Sequence, residues 1–574
     1  MLGSSLPGGG KRLCPLRGGH KAALSPDPAA DAAAAMEAMM GGPDGAATGV
    51  AAAAAAVPAR SSRGAAGSKS PPGPFAWPLV GNVLQLGRLP HLAFARLARR
   101  YGAIFQLRLG SRRVVVLNGE AAIRRALVGL GSHFAGRPNF PSFGLVSGGR
   151  SVAFGACSPQ WRARRRLAHA ALRARSTAAE VERHVAAEAG DLVRLFLRRS
   201  HDGAYFQPCP LLVVANANVL CALCFGRRYG HADEEFATLL GRNDRFGQTV
   251  GAGSLVDVLP WLLWFPNPVR RVYRDFQALT QELHDFVQAK VAQHRQTFDP
   301  RGSVSPHGLG PEDVESAMTD IFGAGQDTTS TALSWVLLLL LKHPQLQQDL
   351  QAELDRVVGR GRLPTAEDRP HLPLLEAFIY ETLRYSSFVP ITIPHATTAD
   401  VELEGYHIPK DTVVFVNQWS VNHDSSKWPE PQRFDPTRFL DEQQCLDRDR
   451  ASSVMIFSTG QRRCIGDQLS KLQLFLFTAI LLHQCSFHAN PAEKLTMDYA
   501  LRNLGKARVE AKGGRGGSCL QVLAEEFKDL VLRACLGARP HQLDLKSTSC
   551  PDLGVQGGWD RFWGGYLTPH PEFH

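Results

Sequence analysis

Ten consecutive residues of this 574-residue chain are the most diagnostic of its fold, Phe457-Ser458-Thr459-Gly460-Gln461-Arg462-Arg463-Cys464-Ile465-Gly466. They carry one cysteine from a glycine-containing loop into an apolar stretch that continues to His483. We expect this stretch to be a helix with Cys464 in its first turn. Free backbone N–H groups and the positive helix end would stabilise a thiolate there, and Arg462 adds positive charge nearby.

The number of cysteines in this stretch limits the metal that it can bind. A buried thiolate without a partner is costly, so a metal is its natural partner. Zinc and iron–sulfur sites need three or four protein ligands, whereas this stretch offers one thiolate. A single thiolate suits an iron ion that a porphyrin already holds. Cys464 as an ordinary buried thiol is the alternative.

The pattern FxxGxRxCxG in these residues resembles the signature of the cytochrome P-450 superfamily. The resemblance implies a mainly α fold, the cytochrome P-450 fold, in which a helical haem-binding domain carries small β-sheets. It also implies that Cys464 is the axial ligand of the iron of haem b. Arg462 would be a cofactor-binding residue.

A second pattern lies upstream, where Glu381 and Arg384 are spaced three apart and share a helical face. This ExxR pattern alone is weak and is typical of surface ion pairs. Arg438 follows in the stretch where the family carries its PERF motif. The resemblance implies that the three side chains form a buried, structural network that braces the haem side of the fold.

A third segment, Gly323-Ala324-Gly325-Gln326-Asp327-Thr328-Thr329, falls inside a predicted helix from Ala317 to Leu341. Glycine in a helix interior costs about 1 kcal/mol relative to alanine, which indicates a close approach or a local distortion. The resemblance implies that this groove lies over the haem and admits dioxygen. Thr328 would hydrogen-bond the dioxygen and Asp327 would relay protons. A kinked core helix is the alternative.

Further positions match family residues that contact the haem propionates. Trp161 and Arg165 are four residues apart and match the family's WxxxR pattern, and His395 follows Pro394 at a second contact position. Singly, each would be an ordinary packing or surface residue.

Longer stretches are similar to family 1 of this superfamily, and most to its subfamily B. They are Pro71 to Asn82, Asn243 to Val258, Phe388 to Thr398 and Val413 to Asp424. The resemblance implies a cavity for flat aromatic molecules, because aromatic walls stack on aromatic guests. Its lining by position would be Phe154, Asn243, Phe246, Gly323, Ala324, Val389 and Ile393.

Composition divides the chain into three parts. Residues 1–70 are rich in Ala and Gly and contain no Phe, Trp or Tyr, so we expect a disordered leader. Residues 71–504 form the haem-thiolate monooxygenase domain. Resemblance is lost after Leu504, where the family's last β-hairpin should follow. We therefore expect residues 505–574 to be an atypical, poorly ordered tail.

The net charge of +11 permits an acidic partner or an anionic membrane surface without requiring nucleic acid, and we expect no nucleic-acid partner. The resemblance implies NADPH–cytochrome P-450 reductase, a lipophilic substrate and the cytoplasmic face of the endoplasmic reticulum membrane. A mitochondrial location is the alternative. The apolar run Trp261 to Phe265 is a candidate for contact with that membrane, or for the core.

The expected function is monooxygenation: one atom of O2 enters an aromatic, polycyclic or lipophilic substrate such as a steroid, oestrogens included, a retinoid, a fatty acid or a xenobiotic. NADPH supplies electrons only through the reductase. Two alternatives stay open. A peroxide-rearranging haem-thiolate isomerase or dehydratase has no need of the Asp327–Thr328 relay. A haem-binding but inactive protein would result if the C-terminal change removed a cavity wall.

Overall fold

The structure, a computed structural model, describes residues 69–87, 89–175, 177–230, 233–249, 255–296, 310–493, 495 and 507–512. The predicted leader lies outside the described residues apart from its last two positions. The predicted tail lies outside them apart from residues 507–512.

Helices make up most of the described chain. Their bounds are α1 Val83–Leu86, α2 Pro90–Tyr101, α3 Glu120–Arg124, α4 Pro141–Leu145, α5 Pro159–Arg175, α6 Ala178–Arg199, α7 Cys209–Phe225, α8 Glu234–Thr249, α9 Leu255–Val258, α10 Pro268–Gln296, α11 Pro311–Lys342, α12 Pro344–Val357, α13 Pro373–Ser386, α14 Trp419–Asn422, α15 Arg448–Ser452 and α16 Asp467–Gln484. The mainly α prediction is confirmed.

Strands form three small sheets. Their bounds are β1 Ile104–Leu109, β2 Arg112–Leu117, β3 His395–Ala396, β4 Val401–Leu403, β5 Tyr406–Ile408, β6 Val413–Val416, β7 Cys485–Ala489 and β8 Ala507–Ala511. The largest sheet has the order β1-β2-β6-β3, and β4–β5 and β7–β8 are antiparallel pairs. In the largest sheet β2 runs parallel to β6 with Leu117 opposite Val416, and its other pairs are antiparallel.

The core forms around α11, whose C-terminal half is buried from Ala332 to Leu341. Helices α6, α7 and α16 pack around it in one continuous apolar cluster. The sequence predicted α11 from Ala317, whereas the helix begins at Pro311. Proline is favoured at the first helical position, and the Asp313 carboxylate accepts the Gly310 N–H at 3.0 Å, so this end is capped.

Two other predictions of local structure are confirmed. The strand predicted at Val114 to Leu117 lies in β2, where all four residues are buried. The amphipathic helix predicted at Gln345 to Val358 is α12, which buries Leu350 and Leu354 of the predicted stripe. Within the part of the chain that the structure describes, no helix combines the length and the apolar content that crossing a bilayer requires.

The expectation for the C-terminal segment is wrong at Ala507–Ala511. These residues form β8 and pair with β7, so a last hairpin partner follows Leu504 after all. Ala507 and Val509 are buried in the main core, and the backbone of Ala507 exchanges two hydrogen bonds with Phe206, at 2.8 and 2.9 Å. Alternating burial and satisfied backbone groups order this strand.

Candidate active site

The cysteine loop, residues 457–466, owes its shape to Gly460. This residue has φ +74°, and a Cβ there would lie 2.0 Å from the carbonyl oxygen of Leu127. Only glycine fits both the left-handed backbone and the close approach. The loop then makes one 3₁₀ turn, Gly460–Arg462, and the Cys464 N–H donates to the Phe457 carbonyl at 2.9 Å. These contacts fix the position from which Cys464 projects.

Cys464 does not lie in the first turn of a helix, as the sequence predicted. Helix α16 begins at Asp467, three residues later, with Gly466 as its N-cap, and the backbone at Arg463 is extended with ψ 145°. The N-terminal end of the helix therefore follows the cysteine closely without containing it.

The thiol of Cys464 lies in a mixed electrostatic environment. Burial raises its pKa, while the backbone N–H of Gly466 and the charges of Arg165 and Arg463 lower it. These cations, rather than Arg462, supply the positive charge that sequence analysis placed beside the thiol. Cys464 is also one of the exposed cysteines of the described chain. The residue is therefore accessible to solvent although other atoms surround its thiol, an arrangement that is compatible with binding a metal.

Helix α11 is exposed along one short strip in the middle of its length. Ala324 and Asp327 are exposed, and Gly323 and Thr328 are half-buried, whereas most of the helix around them is buried. Their spacing places all four on adjoining faces of the helix. Thr329 contacts Ser470 of α16 at 3.3 Å between hydroxyl oxygens, which links this part of α11 to the helix that follows Cys464.

Helix packing explains the small residue at Gly325, in addition to the exposed face of this glycine-rich segment. A Cβ at Gly325 would approach the side chain of Leu220 on α7 to 3.2 Å, so the small residue permits close helix packing. The Thr328 hydroxyl donates to the carbonyl of Ala324, one turn earlier, at 2.7 Å. In this rotamer its oxygen remains able to accept a hydrogen bond from a ligand.

Three arginines, Arg137, Arg165 and Arg462, form what we call the arginine cluster. Arg462 lies flat on the indole of Trp161, with its guanidinium carbon 3.8 Å from the ring centroid. Arg137 donates to the carbonyl oxygens of Ala153, Ile393 and Pro394 at 2.8 to 2.9 Å. Arg165 donates to the carbonyl of Arg463 in the cysteine loop. Sequence analysis missed Arg137, although an isolated cation between Phe134 and Phe140 could have drawn attention to it.

The charges of the arginine cluster repel one another. Burial, followed by the charges of Arg462 and Arg165, holds the pKa of Arg137 well below its ordinary value, and burial lowers that of Arg462 to about 9. No carboxylate of the described residues forms an ion pair with any of the three. Buried cations require a counter-charge. The two propionate groups of a haem would supply it, so the cluster and the Cys464 thiol together fit this cofactor.

Two predicted propionate contacts have other partners. The Trp161 indole N–H donates to the carbonyl oxygen of Val152 at 2.9 Å, and its contact with a propionate stays a prediction. His395 is buried, with Nδ1 2.9 Å from the carbonyl oxygen of Phe134. Burial, with help from Arg137, lowers its pKa to about 3, so it is neutral. Its contact with a propionate stays a prediction.

The ExxR residues meet in the core. Arg384 donates twice to the Glu381 carboxylate, at 2.6 and 2.8 Å, and both side chains have an exposed fraction of 0%. Arg438 adds a third contact to Glu381 at 3.2 Å. The remaining donors of Arg384 bind the carbonyl oxygens of Asn422 and Pro431. The network therefore joins α13 to the loop that leads to the cysteine.

The predicted cavity residues are only partly brought together. Phe154 and Ile393 pack against the same apolar cluster, and the Phe154 ring lies 5.0 Å from that of Phe143 between centroids. Val389 packs on the main core instead. The side chains of Asn243 and Phe246 in α8 lie outside the described residues.

A basic cleft of about 810 Å³ lies behind the cysteine loop. Its walls include Phe457, Ser458 and Thr459 of the loop, and its cations are Arg124, Arg369, Arg448, Arg463 and Lys471. The ammonium group of Lys471 lies 5.2 Å from the Phe457 ring centroid and 5.5 Å from that of Tyr380. Positive charge thus borders the loop that holds Cys464.

Fold and site together define a class of protein, the enzymes that hold haem through one cysteine thiolate in a mainly helical domain. The cytochrome P450 family model matches residues 71–509, and the chain belongs to this family. It is 55% identical over 457 residues to human cytochrome P450 1B1, which covers 75% of this chain and 84% of that protein. It is 54% identical to mouse cytochrome P450 1B1, again over 75% of this chain and 84% of that protein. Its identity to human cytochrome P450 1A1 is 42%, over 75% of this chain and 89% of that protein.

These values place the chain in family 1, nearer to subfamily B than to subfamily A. It is a haem-thiolate monooxygenase whose cofactor is haem b, and NADPH supplies its electrons through a reductase. A redox partner and a lipophilic substrate follow from the family.

Proposed function

We propose that the enzyme inserts one oxygen atom of O2 into aromatic or polycyclic lipophilic molecules, with electrons from NADPH–cytochrome P-450 reductase. Steroids such as oestrogens, retinoids, fatty acids and xenobiotics are the candidate substrates. The observation that carries the proposal is the exposed strip of α11, because an otherwise buried helix presents small residues, a carboxylate and a hydroxyl together.

The aromatic side chains support the preference for flat substrates. The ring of Phe143 lies 5.2 Å from that of Phe140 and 5.0 Å from that of Phe154, so three aromatic side chains adjoin one another. Aromatic faces and edges attract flat aromatic guests beyond their apolar area. A reconstituted enzyme with reductase and NADPH should oxidise a polycyclic aromatic or an oestrogen faster than a saturated fatty acid. A preference for the fatty acid would contradict the substrate class.

Each group has a proposed task. Cys464 would hold haem b through its thiolate, and the bound haem would supply the activation of dioxygen. Asp327 and Thr328 would hold and pass protons at their carboxylate and hydroxyl oxygens. The arginine cluster would neutralise the propionates. Glu381, Arg384 and Arg438 would act structurally, since they lie in the core and contact one another.

Thr328→Ala should uncouple electron use from product formation. The variant loses the hydroxyl that controls proton delivery, so NADPH is still consumed while more peroxide and less product form. Loss of a hydrogen bond worth about 1 kcal/mol corresponds to about a fivefold fall in product per NADPH. The measurement is product and peroxide per NADPH oxidised. Thr328→Ser, which keeps the hydroxyl, should restore coupling, and an unchanged ratio in Thr328→Ala would exclude this role.

The basic cleft supports the identity of the electron donor. An acidic flavoprotein would be attracted to the cations beside the cysteine loop, and electron transfer is favoured where a partner docks close to the haem. Reduction by the reductase should slow as the salt concentration rises, because salt screens charges across an interface. A rate independent of salt would contradict an electrostatic contact.

The proposed location is the cytoplasmic face of the endoplasmic reticulum membrane, and an exposed apolar patch supports it. The patch consists of Phe75, Trp77, Leu79, Trp264 and Phe265. Gly110, in the β1–β2 turn, contacts the chain close to both segments of the patch. Its N–H donates to the carbonyl of Val80, next to Leu79. A Cβ at Gly110 would lie 2.1 Å from the carbonyl oxygen of Val258, in the stretch that precedes Trp264. Exposed tryptophan and phenylalanine are favoured at a membrane interface.

Replacing Trp264 and Phe265 with serine should weaken liposome binding by about tenfold, because both rings would leave the interface. Trp264 is 82% exposed and Phe265 is 44% exposed, whereas Trp261 of the predicted run is half-buried and would disturb packing. Cosedimentation of the haem-loaded protein with liposomes measures the effect. Val128→Ser, at a residue that is 57% exposed in another part of the surface, is the matched control. Equal binding by all three proteins would rule the patch out as the contact.

A further inference from the structure

The loop Ser151–Gly155 is held by one carboxylate of α11, that of Asp320. This carboxylate accepts the hydroxyl of Ser151 at 2.7 Å, the N–H of Val152, and the N–H of Ala153 at 3.4 Å. The Ser151 hydroxyl oxygen in turn accepts the N–H groups of Ala153 and Phe154, at 3.1 and 3.0 Å. The N–H groups of Val152, Ala153 and Phe154 therefore converge on Asp320, directly or through the Ser151 hydroxyl.

The carbonyl groups of the same loop bind the arginine cluster and its tryptophan. The Val152 carbonyl accepts the Trp161 indole N–H at 2.9 Å and the Arg462 guanidinium at 3.1 Å. The Gly155 carbonyl accepts Arg462 at 2.8 Å, and the Ala153 carbonyl accepts Arg137 at 2.8 Å. The loop thus binds the arginines through its carbonyl oxygens and the carboxylate of Asp320 through its N–H groups.

We propose that Asp320 is a positioning residue for the haem-propionate site, acting on Arg462 and Trp161 through the Val152 peptide. Asp320 lies three residues before Gly323, so the helix that carries the exposed strip also sets the geometry of the arginine cluster. Sequence analysis did not identify Asp320, because its partners lie 167 to 169 residues away in the chain.

The electrostatics of the arrangement support this role. Burial raises the pKa of Asp320 to about 6, and its three hydrogen bonds oppose that shift. A carboxylate is costly in such a place unless hydrogen bonds compensate it. The carbonyl of Val152 shares one peptide unit with the N–H of Ala153, which donates to Asp320 at 3.4 Å and to the Ser151 hydroxyl oxygen at 3.1 Å. Chains of hydrogen bonds polarise one another in a low-dielectric interior, so a carboxylate at this N–H end strengthens the Val152 carbonyl as an acceptor for Arg462.

The chain offers a matched control in Glu353. This carboxylate is also buried with a raised pKa, and it accepts the N–H groups of Leu374 and Leu375 at 2.9 and 3.0 Å. None of these contacts involves the arginine cluster. Removal of either carboxylate leaves backbone N–H groups without a partner, so Asp320→Ala and Glu353→Ala should lower the melting temperature comparably. Only Asp320→Ala should act on the haem site.

The first measurement is the rate of haem transfer to excess apomyoglobin from the purified, haem-loaded proteins. Partners that orient the groups around a metal site are worth about 10- to 100-fold in affinity, so Asp320→Ala should lose haem about tenfold faster than Glu353→Ala. Asp320→Asn keeps one acceptor oxygen and should fall between wild type and Asp320→Ala, and it serves if the alanine variant fails to fold. Equal haem loss from the Asp320 and Glu353 variants would overturn the proposal.

Two further measurements identify the route. Trp161→Phe removes the indole N–H but keeps an aromatic ring beneath Arg462. If Asp320 acts through the Val152 peptide, its removal should have a smaller effect in the Trp161→Phe background, since coupled residues are not additive. Full additivity would refute this route.

The inference rests on the proposed role of the arginine cluster at the haem. Amide exchange of residues 151–155 in the apoprotein tests the link to Asp320 independently of that role, and unchanged protection in Asp320→Ala would refute the link itself.

Discussion

Cys464→Ala is expected to abolish the thiolate-type Soret shift of the ferrous carbon monoxide complex. Cys464 is the cysteine of the loop that Gly460 shapes, and its thiol is accessible beside Arg165 and Arg463. Alanine cannot ligate iron, so haem that remains bound would take a different axial ligand and a different spectrum. Monooxygenase activity should be lost together with the shift.

The control for this experiment is Cys445→Ala. Cys445 is also an exposed cysteine and lines the basic cleft behind the same loop, so its replacement tests whether removing any nearby thiol alters the spectrum. This variant should keep the full shift and full activity. A retained shift in Cys464→Ala would mean that another residue ligates the iron.

Glu381→Gln is expected to prevent accumulation of folded, haem-loaded protein. The change leaves Arg384, which is 0% exposed, and Arg438 without the carboxylate that both contact. Breaking a buried ion pair by removing one partner costs about 3–5 kcal/mol. Because domains are stable by only about 5–15 kcal/mol, this is a large share of the total. The yield of the carbon monoxide complex and the urea midpoint measure the loss.

Two variants make this result interpretable. Glu381→Asp keeps the charge with a shorter reach and should yield folded protein of reduced stability. Glu120→Gln removes a carboxylate that contacts Arg124 and Lys427 near the surface, where ion pairs contribute about 0–1 kcal/mol. A Glu381→Gln protein as stable as Glu120→Gln would show that the core network does not hold the fold together.

Local contacts explain why much of the fold could be predicted. Helix α12 follows from the periodicity of its apolar residues, because a helix that buries one face repeats its apolar side chains at its own period. Strand β2 follows from a continuous Val-rich run that ends at Asn118-Gly119, since such runs are typical of buried strands before a turn. The strand β8 could not be predicted in this way. Its five residues are ordered by pairing with β7 and by hydrogen bonds to Phe206 and Ser200, all distant in the chain.

The residues of the candidate site likewise fall into two groups, those that local spacing indicated and those that depend on tertiary contacts. The spacing in residues 457–466 indicated the thiolate ligand, and the i to i+3 spacing of Glu381 and Arg384 indicated their pairing, since both patterns are local. Arg137 and Asp320 were missed, and so were the contacts of Trp161 and His395 with the carbonyl oxygens of Val152 and Phe134. The donor group of a side chain can bind any acceptor that folding brings near it. A local sequence pattern does not specify which acceptors those are.

The sequence by itself determined the class of enzyme and the helical character of the chain, and it supplied the proposed iron ligand, because a ten-residue loop and the pattern of apolar residues carry that information. Only the tertiary structure decided that α16 begins after Cys464, that three arginines converge without an ion pair to any carboxylate of the described residues, and that Asp320 holds the loop that binds them. These features depend on backbone groups from segments far apart in the chain, and their hydrogen bonds and charges become specified only when packing brings those segments together.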